Sequence, residues 1–130
     1  MKNVHSVFIV DDDPTNNMIC KKMIEKSGFS ENVTCYTDAN EALKQLQSLD
    51  NSNDFPQVIF LDINMPPTSG WEFLTQYQKL SISKPLKIFM LSSGISDEHI
   101  KKAKEINIVT DVIDKPLSEE KLRTTVSKYI

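Results

Sequence analysis

Long apolar runs and an excess of positive charge are both absent from this sequence. No stretch approaches the roughly 18 consecutive apolar residues that a membrane-spanning helix needs. The apolar stretch near the N-terminus is too short, before the first acidic residues, to be a secretory signal. A formal net charge of −3 provides no basic surface of the kind that nucleic-acid binding favours. We therefore expect a cytoplasmic domain that binds neither a membrane nor nucleic acid.

Cysteine and histidine are scarce, with two residues of each type. Cys20 and Cys35 lack the Cys-x-x-Cys spacing of a metal or redox site, so both are expected to be reduced core residues. His5 and His99 have no Cys or His companion at the spacing of metal ligands. They are expected to be structural or surface residues.

The composition is that of an ordinary globular protein, with 39% apolar and 25% charged residues among 130. This length suits one domain that folds around its own core. No linker, internal repeat or low-complexity segment interrupts the chain. We therefore expect residues 1–130 to form a single domain.

Strand and helix signals alternate along the chain. Short apolar or alternating stretches predict five strands, at residues 5–10, 32–37, 57–62, 86–91 and 108–114. A helical pattern follows each of them, with predicted starts near Pro14, Asp38, Gly70, Ser96 and Ser118, and the last helix is predicted to reach Ile130. Strands that alternate with helices imply a parallel sheet covered on both faces. The predicted fold class is α/β, a doubly wound (βα)5 unit of five parallel strands, for which we assume the flavodoxin-like order 2-1-3-4-5.

Charged and polar residues stand where four of these strands end. They are Asp11 and Asp12 after the first strand, Asp62 at the end of the third, Ser92 after the fourth and Lys115 after the fifth. Ligands of open α/β sheets bind at the edge of the sheet where the carboxyl ends of the strands lie. Two carboxylates roughly 4 Å apart repel by about 4 kcal/mol at an effective dielectric of about 20, so the group needs more positive charge than one lysine supplies. A divalent cation would supply this charge, and Mg²⁺ suits a carboxylate site that also handles phosphate. We therefore expect a phosphoryl site here.

These motifs resemble those of the receiver domains of two-component response regulators, and the resemblance covers essentially the whole chain. "VFIVDDDP" is similar to the first-strand motif of that family, and "LDINMPPTSG" is similar to its acceptor motif. "FMLSS" and "DKP" are similar to the motifs that carry its hydroxyl residue and its lysine. The resemblance implies that Asp62 is the phosphorylated residue and that Asp11 and Asp12 are the acidic pair. It assigns the hydroxyl to Ser92 and the lysine to Lys115.

The resemblance also implies a mechanism. Asp62 would attack the phosphohistidine of a histidine kinase or phosphotransfer protein, or a small phosphodonor, and form an acyl phosphate. Asp12, Asp62 and the backbone carbonyl of Asn64 would bind Mg²⁺ directly, and Asp11 would act largely through water. The domain would then be a phosphoacceptor that catalyses its own phosphorylation and dephosphorylation, not a classical enzyme.

Lys115 and Ser92 would contact the oxygens of the bound phosphoryl group and bias the face formed by helix 4, strand 5 and helix 5 toward an unknown downstream protein. Family members couple this change to an aromatic residue three positions before the lysine, where this sequence has Val112. We therefore expect activation to be relayed differently or weakly. Asn64 and Gly94 flank the pocket in the family, and the small Gly94 leads us to expect a short-lived phosphoform.

Two other functions stay open at this point. A receiver-like interaction module that is never phosphorylated is suggested only by Val112. A phosphatase of the haloacid dehalogenase type is suggested by "DDDPT" at residues 11–15, which fits its D-x-D-x-T motif. That family gives no role to Asp62, and its activity would survive Asp62→Asn but be lost with Asp11→Asn.

Overall fold

Five parallel strands form one sheet in this computed structural model, which describes residues 3–66, 68–94 and 96–130. The strands are β1 (Val7–Val10), β2 (Val33–Tyr36), β3 (Val58–Asp62), β4 (Lys87–Ser92) and β5 (Val109–Asp114). Their order across the sheet is β2-β1-β3-β4-β5, and each neighbouring pair is parallel. The predicted α/β fold and flavodoxin-like strand order are confirmed.

One helix follows each strand. The helices are α1 (Pro14–Ser27), α2 (Ala39–Leu49), α3 (Gly70–Lys79), α4 (Asp97–Lys104) and α5 (Glu119–Thr124). The side chains of Asp13, Asp38, Ser96 and Ser118 accept hydrogen bonds from backbone N–H groups in the first turns, which confirms these helix starts. Among the helices in the described part of the chain, none is long and apolar enough to cross a membrane.

The sheet separates two apolar cores. On one face, α1 and α5 pack through Ile24 and Leu122, and on the other, α2 and α3 pack through Leu46 and Phe73. Every residue of β3 is at most 4% exposed. A central strand of a parallel sheet is covered on both sides, which explains why its sequence is a continuous apolar run. Asp62 therefore stands at the end of a strand that is buried along its whole length.

Both cysteines are free, as expected from the sequence. Burial raises the pKa of the Cys20 thiol to about 11, so this side chain remains a protonated core residue. His5 is exposed, and its Nε2 atom lies 3.9 Å from a carboxylate oxygen of Asp54.

A short hairpin between β3 and α3 was not predicted. Asn64–Met65 pairs with Thr68–Ser69 in antiparallel fashion, and Pro67 lies outside the described residues. Two-residue strands are too short to produce a periodic apolar pattern, so the sequence carries no signal for them. The hairpin matters because it leads from Asp62 directly into α3, which Ser69 caps.

The prediction that the last helix continues to Ile130 is wrong. The α-helix ends at Thr124, and a 3₁₀-helix spans Val126–Tyr129. The Ser127 hydroxyl donates to the Leu122 carbonyl at 2.9 Å, so a side chain competes there for the backbone acceptors that a continuous helix would use.

Two isoleucines of α1 offer a matched test of this packing. Ile24 is fully buried and Ile19 is 60% exposed, and both lie in the same helix. We expect Ile24→Ala to lower the free energy of unfolding by about 2–5 kcal/mol because it leaves a cavity in the core. Ile19→Ala should change it by no more than about 0.5 kcal/mol. Urea unfolding followed by circular dichroism measures both, and equal losses would contradict the described face of α1.

Candidate functional site

The acidic residues predicted from the strand ends meet at the carboxyl edge of the sheet. Asp11 directly follows β1 and Asp62 is the last residue of β3, and these two strands are neighbours. Asp11 is 1% exposed and Asp62 is 4% exposed, whereas Asp12 faces solvent. One carboxylate oxygen from each of the three lies within 4.8 Å of the others. The structure thus brings the three predicted acids together.

Asp11 is held by several donors. Its Oδ1 accepts a hydrogen bond from the backbone N–H of Asp13 at 3.0 Å. Its Oδ2 accepts from the side-chain amide of Asn16 and lies 3.2 Å from Nζ of Lys115. Burial acts to raise the pKa of Asp11, but the hydrogen bonds from Asp13 and Asn16 and the attraction of Lys115 outweigh it and lower this pKa. Asp11 is therefore a stable anion.

Asp62 has fewer donors than Asp11. Its Oδ1 lies 3.2 Å from Nζ of Lys115 and accepts the backbone N–H of Asn64, also at 3.2 Å. Burial and the negative charge of Asp11 raise the pKa of Asp62, and the contacts with Lys115 and Asn64 only partly offset this. A further cation in the cluster would therefore stabilise the charged form of Asp62 more than that of Asp11.

Lys115 bridges the two buried carboxylates from the end of β5. Burial acts to lower the pKa of Lys115, but the charges of Asp11 and Asp62 outweigh it and raise this pKa, so the ammonium is retained. The backbone N–H of Lys115 donates to the carbonyl of Ser92 at 2.8 Å, which ties β5 to the end of β4. The peptide bond between Lys115 and Pro116 is cis.

Ser92 lies at the same edge, but its hydroxyl has a different partner from the acids. It is 1% exposed, and its Oγ lies 3.0 Å from Nδ1 of His99 in α4. The predicted site residues therefore form two separate groups of contacts. Asp11, Asp62 and Lys115 contact one another, and Ser92 is engaged with a helix.

Gly70 lets α3 approach the acidic cluster closely. A Cβ atom at this position would lie 2.6 Å from the backbone oxygen of Asp62, a distance that real Cβ atoms essentially never show, and 3.0 Å from Cα of Ile63. The backbone N–H of Gly70 also donates to the Ile63 carbonyl at 2.8 Å. The glycine that ends "LDINMPPTSG" is thus required by packing behind Asp62.

Sequence reasoning did not identify three residues of this region, namely Asn16, Asn17 and His99. The Asn17 amide donates to the backbone carbonyl of Asp11 at 2.9 Å and to that of Tyr36 at 3.3 Å, so it ties α1 to the ends of β1 and β2. A signal for Asn17 was available. It lies on the same buried stripe of α1 as Cys20 and Ile24, where an amide needs polar partners.

The three carboxylates and the one ammonium leave two formal negative charges at this edge. Clustered carboxylate oxygens are the donors that hard divalent cations prefer, and the exposed Asp12 leaves one side open to solvent. The residues present therefore fit a metal ion of that class.

The raised pKa of Asp62 has a consequence for stability. The folded state holds this proton more strongly than the unfolded chain, so stability falls as the pH rises through the folded-state pKa. We therefore expect Asp62→Asn to have a higher Tm than the wild type at neutral pH without divalent metal. The difference should shrink as the pH is lowered toward 3.8, the ordinary value for an aspartate.

Thermal melts over that pH range measure this difference, with Asp12→Asn as the matched control. The carboxylate of Asp12 is exposed and already hydrated, so its replacement should move Tm much less. A lower Tm for Asp62→Asn at neutral pH would contradict the electrostatic origin of the effect.

Comparison with known proteins agrees with this geometry. The sequence model of the response regulator receiver domain matches residues 7–127. The chain is similar to the probable methanogenesis regulatory protein FilR2 of Methanothrix harundinacea, with 26% identity over 94% of this chain and 79% of that protein. It is also similar to part of the sensor histidine kinase CheAY of Helicobacter pylori, with 28% identity over 95% of this chain.

The chain spans only 15% of the length of that kinase. Among solved structures, the two-component response regulator from Cytophaga hutchinsonii superposes with a TM-score of 0.86 and 27% identity, over 98% of this chain and 97% of that one. The family match covers nearly all of the chain, and the fold agrees with that of the solved response regulator. This protein therefore belongs to the response regulator receiver domain family.

Proposed function

We propose that this receiver domain accepts a phosphoryl group on Asp62 in a Mg²⁺-dependent reaction and signals through the conformational change that follows. The observation that carries the proposal is the placement of Asp62. Its buried carboxylate lies 3.2 Å from the Lys115 ammonium and within one cluster with Asp11 and Asp12. Phosphoryl transfer requires mainly positioning and charge neutralisation, and this cluster offers both.

Asp11, Asp12 and Asp62 would hold the metal ion, together with the backbone carbonyl of Asn64. When bound, Mg²⁺ neutralises the charge of the carboxylates and of the incoming phosphoryl oxygens. The excess of two negative charges in the cluster supports this assignment, since one lysine cannot balance three acids and a phosphoryl group.

The two oxygens of Asp62 differ in their surroundings. Lys115 and Asn64 both contact Oδ1, which leaves Oδ2 as the oxygen that attacks phosphorus. In this step an oxygen–phosphorus bond forms on Asp62 and the bond between phosphorus and the donor breaks, so that an acyl phosphate is formed. Lys115 stays protonated beside the growing negative charge and contacts a phosphoryl oxygen. The Ser92 hydroxyl then donates a hydrogen bond to another phosphoryl oxygen.

The phosphodonor would be a histidine kinase or a histidine phosphotransfer protein. Similarity to a segment of a sensor histidine kinase supports a partner of this kind. In this proposal residues 1–130 act as one domain in the cytoplasm, and the phosphorylated domain signals to a separate downstream protein. The domain promotes its own phosphorylation and dephosphorylation but transforms no separate substrate.

Intact mass spectrometry after incubation with acetyl phosphate and Mg²⁺ tests the acceptor. We expect one phosphoryl adduct on the wild type, and none on Asp62→Asn or on the wild type with a chelator present. Asp54→Asn is the matched control, since this exposed aspartate lies outside the cluster, and it should be phosphorylated like the wild type.

An adduct that persists in Asp62→Asn would contradict the assignment of the acceptor. If no adduct forms on any variant, the same samples are titrated with beryllofluoride, a phosphoryl mimic, and followed by thermal melts. Lack of any stabilisation of the wild type would then favour an interaction module that is not phosphorylated.

Gly94 should shorten the lifetime of the phosphoform. Its φ is 76°, and a Cβ atom there would have no neighbour within 4 Å, so the position leaves open space for a water molecule. We expect Gly94→Asn to lengthen the half-life of the phosphoryl adduct several-fold, because asparagine tolerates a positive φ and fills part of this space.

The decay is followed by intact mass after acetyl phosphate is removed. Gly28→Asn is the control, since Gly28 has a φ of 81° and similarly open surroundings at the far end of α1. A wild-type adduct that lasts for many hours in Mg²⁺ buffer would contradict the expected short lifetime.

A further inference from the structure

The hydroxyl of Ser92 and the imidazole of His99 form a contact that the proposed phosphoryl transfer does not use. The two atoms, Oγ and Nδ1, are 3.0 Å apart, and Ser92 is 1% exposed. His99 is held in place by its own helix, because its backbone N–H donates to the hydroxyl of Ser96, which caps α4. The Ser92–His99 contact therefore joins the end of β4 to the first turn of α4.

The imidazole also lies against the only tryptophan of the chain. The ring centroids of His99 and Trp71 are 6.3 Å apart, with an angle of 53° between the ring planes. The ammonium of Lys102 lies 4.7 Å from the Trp71 ring centroid, a cation–π distance. Trp71 is half-buried and directly follows Gly70, which packs against the backbone of Asp62.

These contacts form a continuous path from the buried end of β4 to the surface of α3 and α4. On strand β5, the position three residues before Lys115 carries Val112, whose side chain has neither a ring nor a polar atom. Val112 is opposite Met90 in the register of β4 and β5 and packs with the apolar core on that face. The described contacts of the Ser92 hydroxyl thus lead to α4.

A serine hydroxyl carries one proton, so it donates one hydrogen bond at a time. A phosphoryl oxygen is charged, and hydrogen bonds to charged acceptors are roughly twice as strong as those between neutral groups. In the tautomer in which Nδ1 of His99 carries no proton, Ser92 donates to it, and donation from Ser92 to a phosphoryl group on Asp62 would displace that hydrogen bond. The imidazole would lose the partner that fixes its position at the start of α4.

We propose that His99 is a positioning residue whose Nδ1 accepts a hydrogen bond from the Ser92 hydroxyl in the unphosphorylated domain and is released when Ser92 turns to the phosphoryl group. This inference rests on the proposed function, since it names how phosphorylation of Asp62 reaches the surface. The release changes the surroundings of Trp71 and Lys102. The signal therefore leaves the site through the facing ends of α3 and α4.

Histidine ring NMR tests the contact directly, because the chain has only two histidines. Long-range ¹H–¹⁵N spectra are recorded at one pH with Mg²⁺, before and after addition of beryllofluoride, and His5→Ala identifies the signals of His99. We expect the Nδ1 signal of His99 to shift when beryllofluoride binds. In Ser92→Ala without beryllofluoride, the Nδ1 signal of His99 should already lie near the value of the beryllofluoride-bound wild type. It should change little when beryllofluoride is added. Ser93→Ala, the exposed neighbour, should behave like the wild type.

Two substitutions of His99 separate the hydrogen bond from the ring contact. His99→Phe keeps a ring beside Trp71 but has no acceptor for Ser92, and His99→Asn keeps a polar atom near the position of Nδ1. Removing a competing hydrogen bond between neutral groups should tighten the apparent affinity for beryllofluoride about three- to tenfold in His99→Phe. His99→Asn should stay close to the wild type. Trp71 fluorescence reports the titration.

The outcomes distinguish this inference from the proposed function. An acetyl phosphate adduct on the wild type, with no change of the His99 signal and equal affinities of all variants, would overturn the inference and leave the function intact. No adduct and no response to beryllofluoride would overturn both. If His99→Phe does not fold, the His99 ring signals of Ser92→Ala and Ser93→Ala decide whether His99 depends on the Ser92 hydroxyl. A signal of His99 that is the same in Ser92→Ala as in the wild type overturns the proposal.

Discussion

Lys115 lies between two buried carboxylates that would otherwise repel each other at one edge of the sheet. Its Nζ is 3.2 Å from an oxygen of Asp11 and 3.2 Å from an oxygen of Asp62. Removing Lys115 would leave the two buried carboxylates without this counter-charge, and an uncompensated buried charge costs about 3–5 kcal/mol in well-buried cases. Because these residues end β1, β3 and β5, the same contacts also fix how those strand ends meet. The candidate site and the local fold thus share one set of interactions.

The rest of the domain supplies the stability that this cluster does not. The two apolar cores pack against both faces of β3, so the strand that presents Asp62 is held firmly. Helix α4 is held much less firmly, since Ala103 is its one buried residue among those described. Elements with few buried contacts open and shift most readily. A rigid strand therefore presents the acceptor, and a loosely packed helix carries the partner of Ser92.

Much of the fold could be predicted because its signals are local. The observed start of α1 at Pro14 matches the predicted one, because Asp13 and Pro14 are start residues that act within one helical turn. The alternation of strands and helices predicted the parallel sheet, whereas the strand order was an assumption of flavodoxin-like winding that the structure confirmed. The prediction failed for the hairpin after β3, which has no periodic pattern. It also failed at the end of α5, where Ser127 bonds a backbone carbonyl.

The sequence by itself determined which chemical groups stand at the strand ends, because strand boundaries and acidic or basic residue types can be read directly from it. Only the tertiary structure decided how these groups differ. Asp11 and Asp62 have the same side chain, yet hydrogen bonds from Asp13 and Asn16 lower the pKa of one, and burial beside a negative neighbour raises that of the other. The partner of Ser92 was likewise decided in three dimensions. The burial of both carboxylates and their shared contact with Lys115 depend on strands that are far apart in the sequence, and no local pattern specifies them.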